Sequence, residues 1–118
     1  MGYTTDFSGR FEFDTPLTIA QSVELSSFAD TRHNESDYPG CWCQWVPSQD
    51  GNAVVWDGCE KFYNYISWLE YLISNYFEKW GKKLNGEVTW QGEDDKDFGK
   101  IIVTDNVVST KKGRKVYE

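Results

Sequence analysis

From Trp56 to Trp80 the run WDGCEKFYNYISWLEYLISNYFEKW places apolar residues at helical spacing, which commits the chain to a long amphipathic helix and to something for that helix to pack against. Phe62, Ile66, Leu69, Ile73, Tyr76 and Trp80 recur three or four residues apart, and Tyr65, Leu72 and Phe77 widen the stripe. Asp57 or Gly58 is expected to cap the start and Gly81 to end it. On this phase Trp68 and Tyr71 fall on the opposite side, among Asn64, Ser67, Asn75 and Glu78. Two readings of that pair stand: exposed anchors for a protein partner, or residues covered by a loop or by the tail around Tyr117.

The helix needs a sheet, and the start of the chain supplies its clearest strand. Tyr3, Thr5, Phe7, Phe11 and Phe13 alternate with polar residues, so one face is apolar and the other wet. Gly9 interrupts the apolar row and signals a bulge or the close approach of another backbone. After Pro16, Thr18 and Gln21 have capping-box spacing for a second helix running to about Asp30, with a weak apolar face. Residues 31 to 40 read as a polar loop. Cys41 to Val46 and Ala53 to Trp56 form a hairpin across PSQDGN. Gly86 to Gly92 and Phe98 to Thr104 form another across the acidic EDDKD loop, and Asp105-Asn106 turns the chain into a short strand from Val107 to Thr110. The tail from Lys111 onward has no periodicity and is read as frayed or as part of an edge.

The expected fold is a single α+β domain over residues 1 to 118: an antiparallel or mixed sheet with two helices on one face, in βαββαβ ferredoxin-like order with an added carboxyl-terminal hairpin. Seven Phe, seven Tyr and six Trp give it an aromatic core that requires no disulfide. The odd number of cysteines (Cys41, Cys43, Cys59) and the lack of an apolar leader before Tyr3 are those of a reduced, cytosolic protein, and no segment reaches the length of a membrane span.

Charge is distributed unevenly. The first 60 residues hold ten acids and two bases, the remainder nine acids and ten bases, for a net −7. Broad contact with nucleic-acid phosphates is disfavoured, because it draws on clustered Lys and Arg. An acidic surface that includes Asp30, Glu35 and Asp37 suits a basic protein partner, or serves solubility alone.

Signatures of catalysis are missing: the one histidine lies in a polar loop, and no nucleophile elbow or phosphate loop is present. An enzyme would have to work through carboxylates, and none is assigned a catalytic role. His33, Cys41, Cys43 and Cys59 offer zinc-type ligands at spacing that fits no ribbon or finger, and Glu93, Asp94, Asp95 and Asp97 lack the glycine and distal glutamate of a calcium loop. No metal or cofactor is expected. Trp42 and Trp45 point to opposite faces of their strand, so at most one enters the core and the other needs a cover, a ligand or a partner.

The segments WCQWVP and LNGEVTWQGED, with GYTTDFSGRF and WDGCEKFYNYISWLEYLI, resemble a family of small uncharacterised proteins encoded in bacteriophages and prophages. The resemblance covers nearly the whole chain and brings no catalytic residue with it. It implies a host-cell cytoplasm and, by analogy with small acidic phage proteins, a non-catalytic inhibitor of a host nucleic-acid-binding or defence protein. Trp68, Tyr71, Trp42, Trp45, Asp30, Glu35 and Asp37 are the binding residues this reading selects. The alternative is an aromatic pocket that binds or modifies a nucleotide-like molecule, stacked on Trp42, Trp45 or Trp56 with a base such as Arg10 or Arg32. A cavity lined by Trp with one or two convergent basic groups would favour the pocket.

Overall fold

The computed structural model describes residues 3 to 113. Six strands, β1 (Thr5–Phe13), β2 (Trp45–Pro47), β3 (Ala53–Trp56), β4 (Leu84–Gly92), β5 (Phe98–Thr104) and β6 (Val107–Lys112), form one antiparallel sheet in the order β2-β3-β1-β4-β5-β6. Two helices complete an α+β domain: α1 (Ile19–Ala29) and α2 (Tyr65–Leu72), the latter running into a π-helical turn, Ile73–Phe77. Lys111 and Lys112, expected in the tail, extend β6, whereas residues 114 to 118 lie outside the described residues.

Strict alternation in β1 works as the sequence implies. Phe7, Phe11 and Phe13 are buried on the helix side while Asp6, Ser8, Arg10 and Glu12 face solvent; Tyr3 is exposed and precedes the strand. The register sets Phe7 opposite Trp90 and Phe13 opposite Leu84. Gly9 and Gly86 mark the close approach of β1 and β4: a Cβ on Gly9 would stand 2.6 Å from the Glu87 carbonyl oxygen, and one on Gly86 would stand 2.7 Å from that of Arg10. Both have positive φ, which other residues rarely adopt. Between β5 and β6, Asp105 and Asn106 form the tight turn, both with positive φ.

The capping box of α1 is present: Gln21 N donates to Thr18 Oγ1 at 3.1 Å and Thr18 N to Gln21 Oε1 at 3.0 Å, and the helix ends at Asp30. Its weak periodicity has a structural counterpart, since only Leu25 is fully buried and Ile19 and Val23 face solvent.

The long helix differs from expectation at its start. Trp56 ends β3, and α2 begins only at Tyr65. Local hydrogen bonding explains the delay: the Asp57 carboxylate accepts from Cys59 N at 2.8 Å instead of capping a helix, and Gln44 Nε2 donates to the Glu60 carbonyl at 3.1 Å. Gly81 terminates the helical region with φ 71. Cys41 to Gln44 also depart from expectation, forming an irregular segment before β2.

Trp68 requires the larger correction. It is 0 % exposed, not a surface anchor, and Tyr71 is half-buried. The far side of α2 is covered by the end of α1 and by the 31–44 loop: Phe28 stacks on Tyr71 at 5.6 Å and meets Trp68 edge-on at 5.7 Å, while His33 lies 5.5 Å from Trp68. A helix apolar on two sides is buried on two sides. The helical region continues through a π-helical turn, in which Glu78 N donates to Ile73 O at 2.9 Å, and Ile73 and Phe77, four residues apart, are both buried.

Leu69→Ala and Ile73→Ala should each destabilise the fold by about 2 to 5 kcal/mol, the cost of a cavity in a packed core; urea unfolding reads this directly, and losses below about 1 kcal/mol at both sites would contradict the packing. In the β2–β3 turn, Asp50 accepts from Ser48 Oγ and from Asn52 N, which together lower its pKa to about 2. A carboxylate whose pKa is depressed on folding stabilises fully above its unfolded value, here 3.8, and loses that contribution as pH falls towards 2. Asp50→Asn should therefore flatten the acid dependence of stability in that window, and an unchanged slope would show that the turn carries no such linkage.

Candidate functional site

A cleft of about 750 Å³ opens where the 31–44 loop meets the segment leading into α2. Its walls are held from both sides. Trp45 Nε1 donates to the Tyr65 carbonyl at 2.9 Å, fixing β2 to the first residue of α2, and Asn64 Nδ2 donates to the Pro39 carbonyl at 2.6 Å, tying the loop to the helix start. His33 N donates to Cys41 O at 2.7 Å and the His33 ring is hydrogen-bonded to Phe28 O, so the loop is also closed upon itself.

Trp68 lies at the inner end of this cleft. Its indole N–H is buried without a hydrogen-bond partner, the one such side-chain atom among the described residues. Gly40 covers it so closely that a Cβ there would stand 3.1 Å from Nε1. An unsatisfied buried donor costs roughly 1–3 kcal/mol, and native structures seldom leave one without a reason. At the rim, Trp42 and Tyr63 are 47 % and 50 % exposed. Arg32 and Lys61 bring positive charge to the lining, Glu35 and Glu60 negative charge. Two residues that enter α2, Lys61 and Asn64, have left-handed backbone, with φ of 63° and 58°. Such conformations are costly for lysine and concentrate at ligand clamps and active sites.

The residues singled out from sequence divide between cleft and elsewhere. Arg32, Glu35, Trp42 and Trp68 come together here. Trp45 is fully buried beneath Phe7 and Phe11, leaving Trp42 as the exposed member of the pair. Trp56 packs on Phe7 and donates to Gln44 Oε1 at 3.2 Å, outside the lining. Arg10 lies on the open sheet face, 3.4 Å from Glu12 and 3.8 Å from Asp50. Asp30 and Asp37 are exposed but do not line this cleft. Lys61, Tyr63, Asn64 and Gly40 escaped sequence reasoning; residues 31 to 40 read as a polar loop, but nothing local marks what a loop will cover.

The zinc-type residues do not converge, and among the described residues no group of three or more His, Cys, Asp or Glu is arranged to hold a metal ion. Cys41 Sγ donates to Glu35 Oε1 at 3.0 Å, which raises its pKa. The negative charge of Asp57 raises that of exposed Cys59, and burial pushes Cys43 up to about 12. In the EDDKD turn, Asp97 accepts from Trp90 Nε1 at 2.9 Å and from the Tyr3 hydroxyl at 2.7 Å; its lowered pKa reflects those bonds and a structural role. A second hollow, of about 520 Å³, lies on the open sheet face around Phe98 and Lys100, with no unpartnered buried side-chain donor.

No family model, curated protein or solved structure matches this chain. No helix among the described residues is long and apolar enough to cross a membrane.

Thiol labelling tests the burial pattern. In the native protein Cys59 should react first with a thiol-specific reagent and Cys43 only after unfolding, because the thiolate is the reactive species and Cys43 is both buried and held protonated. Native labelling of Cys43 as fast as Cys59, read by peptide mass spectrometry, would contradict the structure.

Proposed function

We propose that this protein binds a small, planar, nucleotide-like molecule in the cleft between the 31–44 loop and the start of α2. The observation that carries the proposal is the unpartnered Trp68 N–H at the inner end of a cleft with an aromatic rim and two basic groups. A ligand acceptor would recover the hydrogen bond that the fold leaves unmade. The cleft volume lies within the roughly 300–1,000 Å³ usual for small-molecule sites. Trp42 and Tyr63 offer faces for a heteroaromatic ring, and base–aromatic stacking contributes about 1–3 kcal/mol per base. Binding alone accounts for these features, so we assign the protein to ligand capture rather than catalysis.

A host-protein inhibitor is the second reading, favoured by the exposed acids Asp30, Glu35 and Asp37, of which Glu35 shares the cleft lining with the exposed Trp42. It has lost Trp68 as a surface anchor. For either function we propose the cytoplasm of a bacterial host as the setting, on the phage resemblance of the sequence. We also infer that β1 to β4 with α1 and α2 form a split βαβ core of ferredoxin-like type, supported by the strand order β2-β3-β1-β4, to which β5 and β6 are added.

The test has two arms. Native mass spectrometry of protein purified from bacterial cells should show a small molecule that denaturation releases. Titration with ribonucleoside monophosphates should move the Trp68 indole proton downfield, as formation of a hydrogen bond requires, and Trp42→Ala should weaken that binding about tenfold or more. If no small molecule accompanies the protein and no nucleotide moves the Trp68 resonance, the pocket fails and the protein-docking reading takes its place.

A further inference from the structure

We infer that the cleft holds an anionic group of its ligand, a phosphate in a nucleotide, at the amino-terminal end of α2. The inference rests on the cleft being the binding site and specifies which part of the ligand goes where.

A helix begins with backbone N–H groups that have no partner within the helix, and side chains usually satisfy some of them. Here they do not. Asn64, the N-cap, has left-handed backbone and makes no capping bond, its amide being directed to Pro39 O. The first turn contains no acid, and the N–H groups of Tyr65, Ile66 and Ser67 make no hydrogen bond among the described residues; the ladder starts with Trp68 N donating to Asn64 O. An uncapped helix start alone is solvated by water. This one adjoins the cleft lined by Asn64 and Trp68, in which a fully buried indole N–H also lacks an acceptor. Donors left open on the backbone and on the side chain thus occur at the same end of the same helix.

Charge decides which ligand group belongs there. Arg32 and Lys61 are matched in number by Glu35 and Glu60, so the side chains alone leave the lining without net charge. The helix dipole adds the equivalent of about half a positive charge at its amino terminus. The net −7 of the whole chain opposes an anion only weakly at this point, because charges beyond about 8 Å are largely screened at physiological ionic strength. The remaining carboxylates suit hydrogen-bond donors elsewhere on the same ligand. A molecule that combines an anionic group with a ring bearing donors and acceptors matches this lining better than a purely anionic or purely apolar one.

The experiment is a set of amide and indole NMR titrations of the full chain with inorganic pyrophosphate, adenosine and AMP. Pyrophosphate should shift the amides of Tyr65, Ile66 and Ser67; AMP should shift these and the Trp68 indole; adenosine should bind at least about fivefold more weakly than AMP, a difference of about 1 kcal/mol, as expected for one charge-assisted contact. Lys61→Gly removes a cation while relieving a left-handed backbone, so it should weaken AMP and pyrophosphate binding yet leave the melting temperature unchanged or raised. Opposite movement of affinity and stability separates loss of a contact from loss of fold. Arg32→Gln, at an exposed position, should weaken both anions in the same way. If AMP moves the Trp68 indole but the three amides stay still, and neither variant alters affinity, the anion site is wrong and the cleft stands. Shifts confined to Lys111 and Lys112 overturn it as adventitious binding, and no response to any probe overturns both the anion site and the cleft.

Discussion

Phe7 is the point at which the parts of this molecule meet. Its ring lies edge-on to Trp45 at 5.4 Å, Trp56 at 5.3 Å, Phe62 at 5.7 Å and Tyr65 at 4.9 Å, joining the central strand to β2, β3, the loop before α2 and the first residue of α2. Edge-to-face pairs of this kind each contribute about 0.5–1.5 kcal/mol beyond area burial, and their directionality fixes orientation as well as distance. Trp45, held by Phe7, Phe11 and Phe62, then fixes α2 through its hydrogen bond to Tyr65 O. The position of the helix start, and with it the cleft, follows from packing on β1 rather than from any capping signal in the helix itself.

That dependence explains which features could be read in advance. The alternation of β1, the Thr18–Gln21 box, the span of β5 and the Asp105-Asn106 turn are local: each is decided by residues within a few positions of one another, and each is found where the spacing puts it. The start of α2 is not local. Trp56, Asp57 and Gly58 satisfy the rules for a helix entrance, but Trp56 pairs with Trp45 in the sheet and Gln44, sixteen residues before Glu60, holds the Glu60 carbonyl. Tertiary contacts decided between two acceptable local conformations.

The same limit applies to the site. Arg32 could be recognised as a base, because charge is visible in sequence; Trp42 is exposed as expected, yet from the irregular segment before β2 and not by strand alternation. Trp68 was misplaced because one strong stripe on α2 suggested that its opposite side was wet. The aromatic residues of the covering layer, Phe28, His33 and Tyr38, lie 40, 35 and 30 positions earlier. Gly40 and Asn64 carry no chemical signal of their own; they matter because the fold sets one against the Trp68 N–H and the other at an uncapped helix start.

The energetics show how the protein can keep such a site. An orphaned N–H costs roughly 1–3 kcal/mol, and a left-handed lysine adds about 1–2 kcal/mol. Full burial of an aromatic side chain of 150–250 Å², at about 25 cal/mol per Å², returns about 4–6 kcal/mol. Trp68 can therefore be held in place by its ring contacts while its nitrogen remains without a partner. Packing explains why the arrangement is tolerated, yet it does not require the costs to coincide. A strained lysine or an uncapped helix would be ordinary alone; a buried donor without an acceptor is the rarer feature. Their occurrence around one cleft is the pattern expected where local rules are broken at a binding site and the surrounding core compensates.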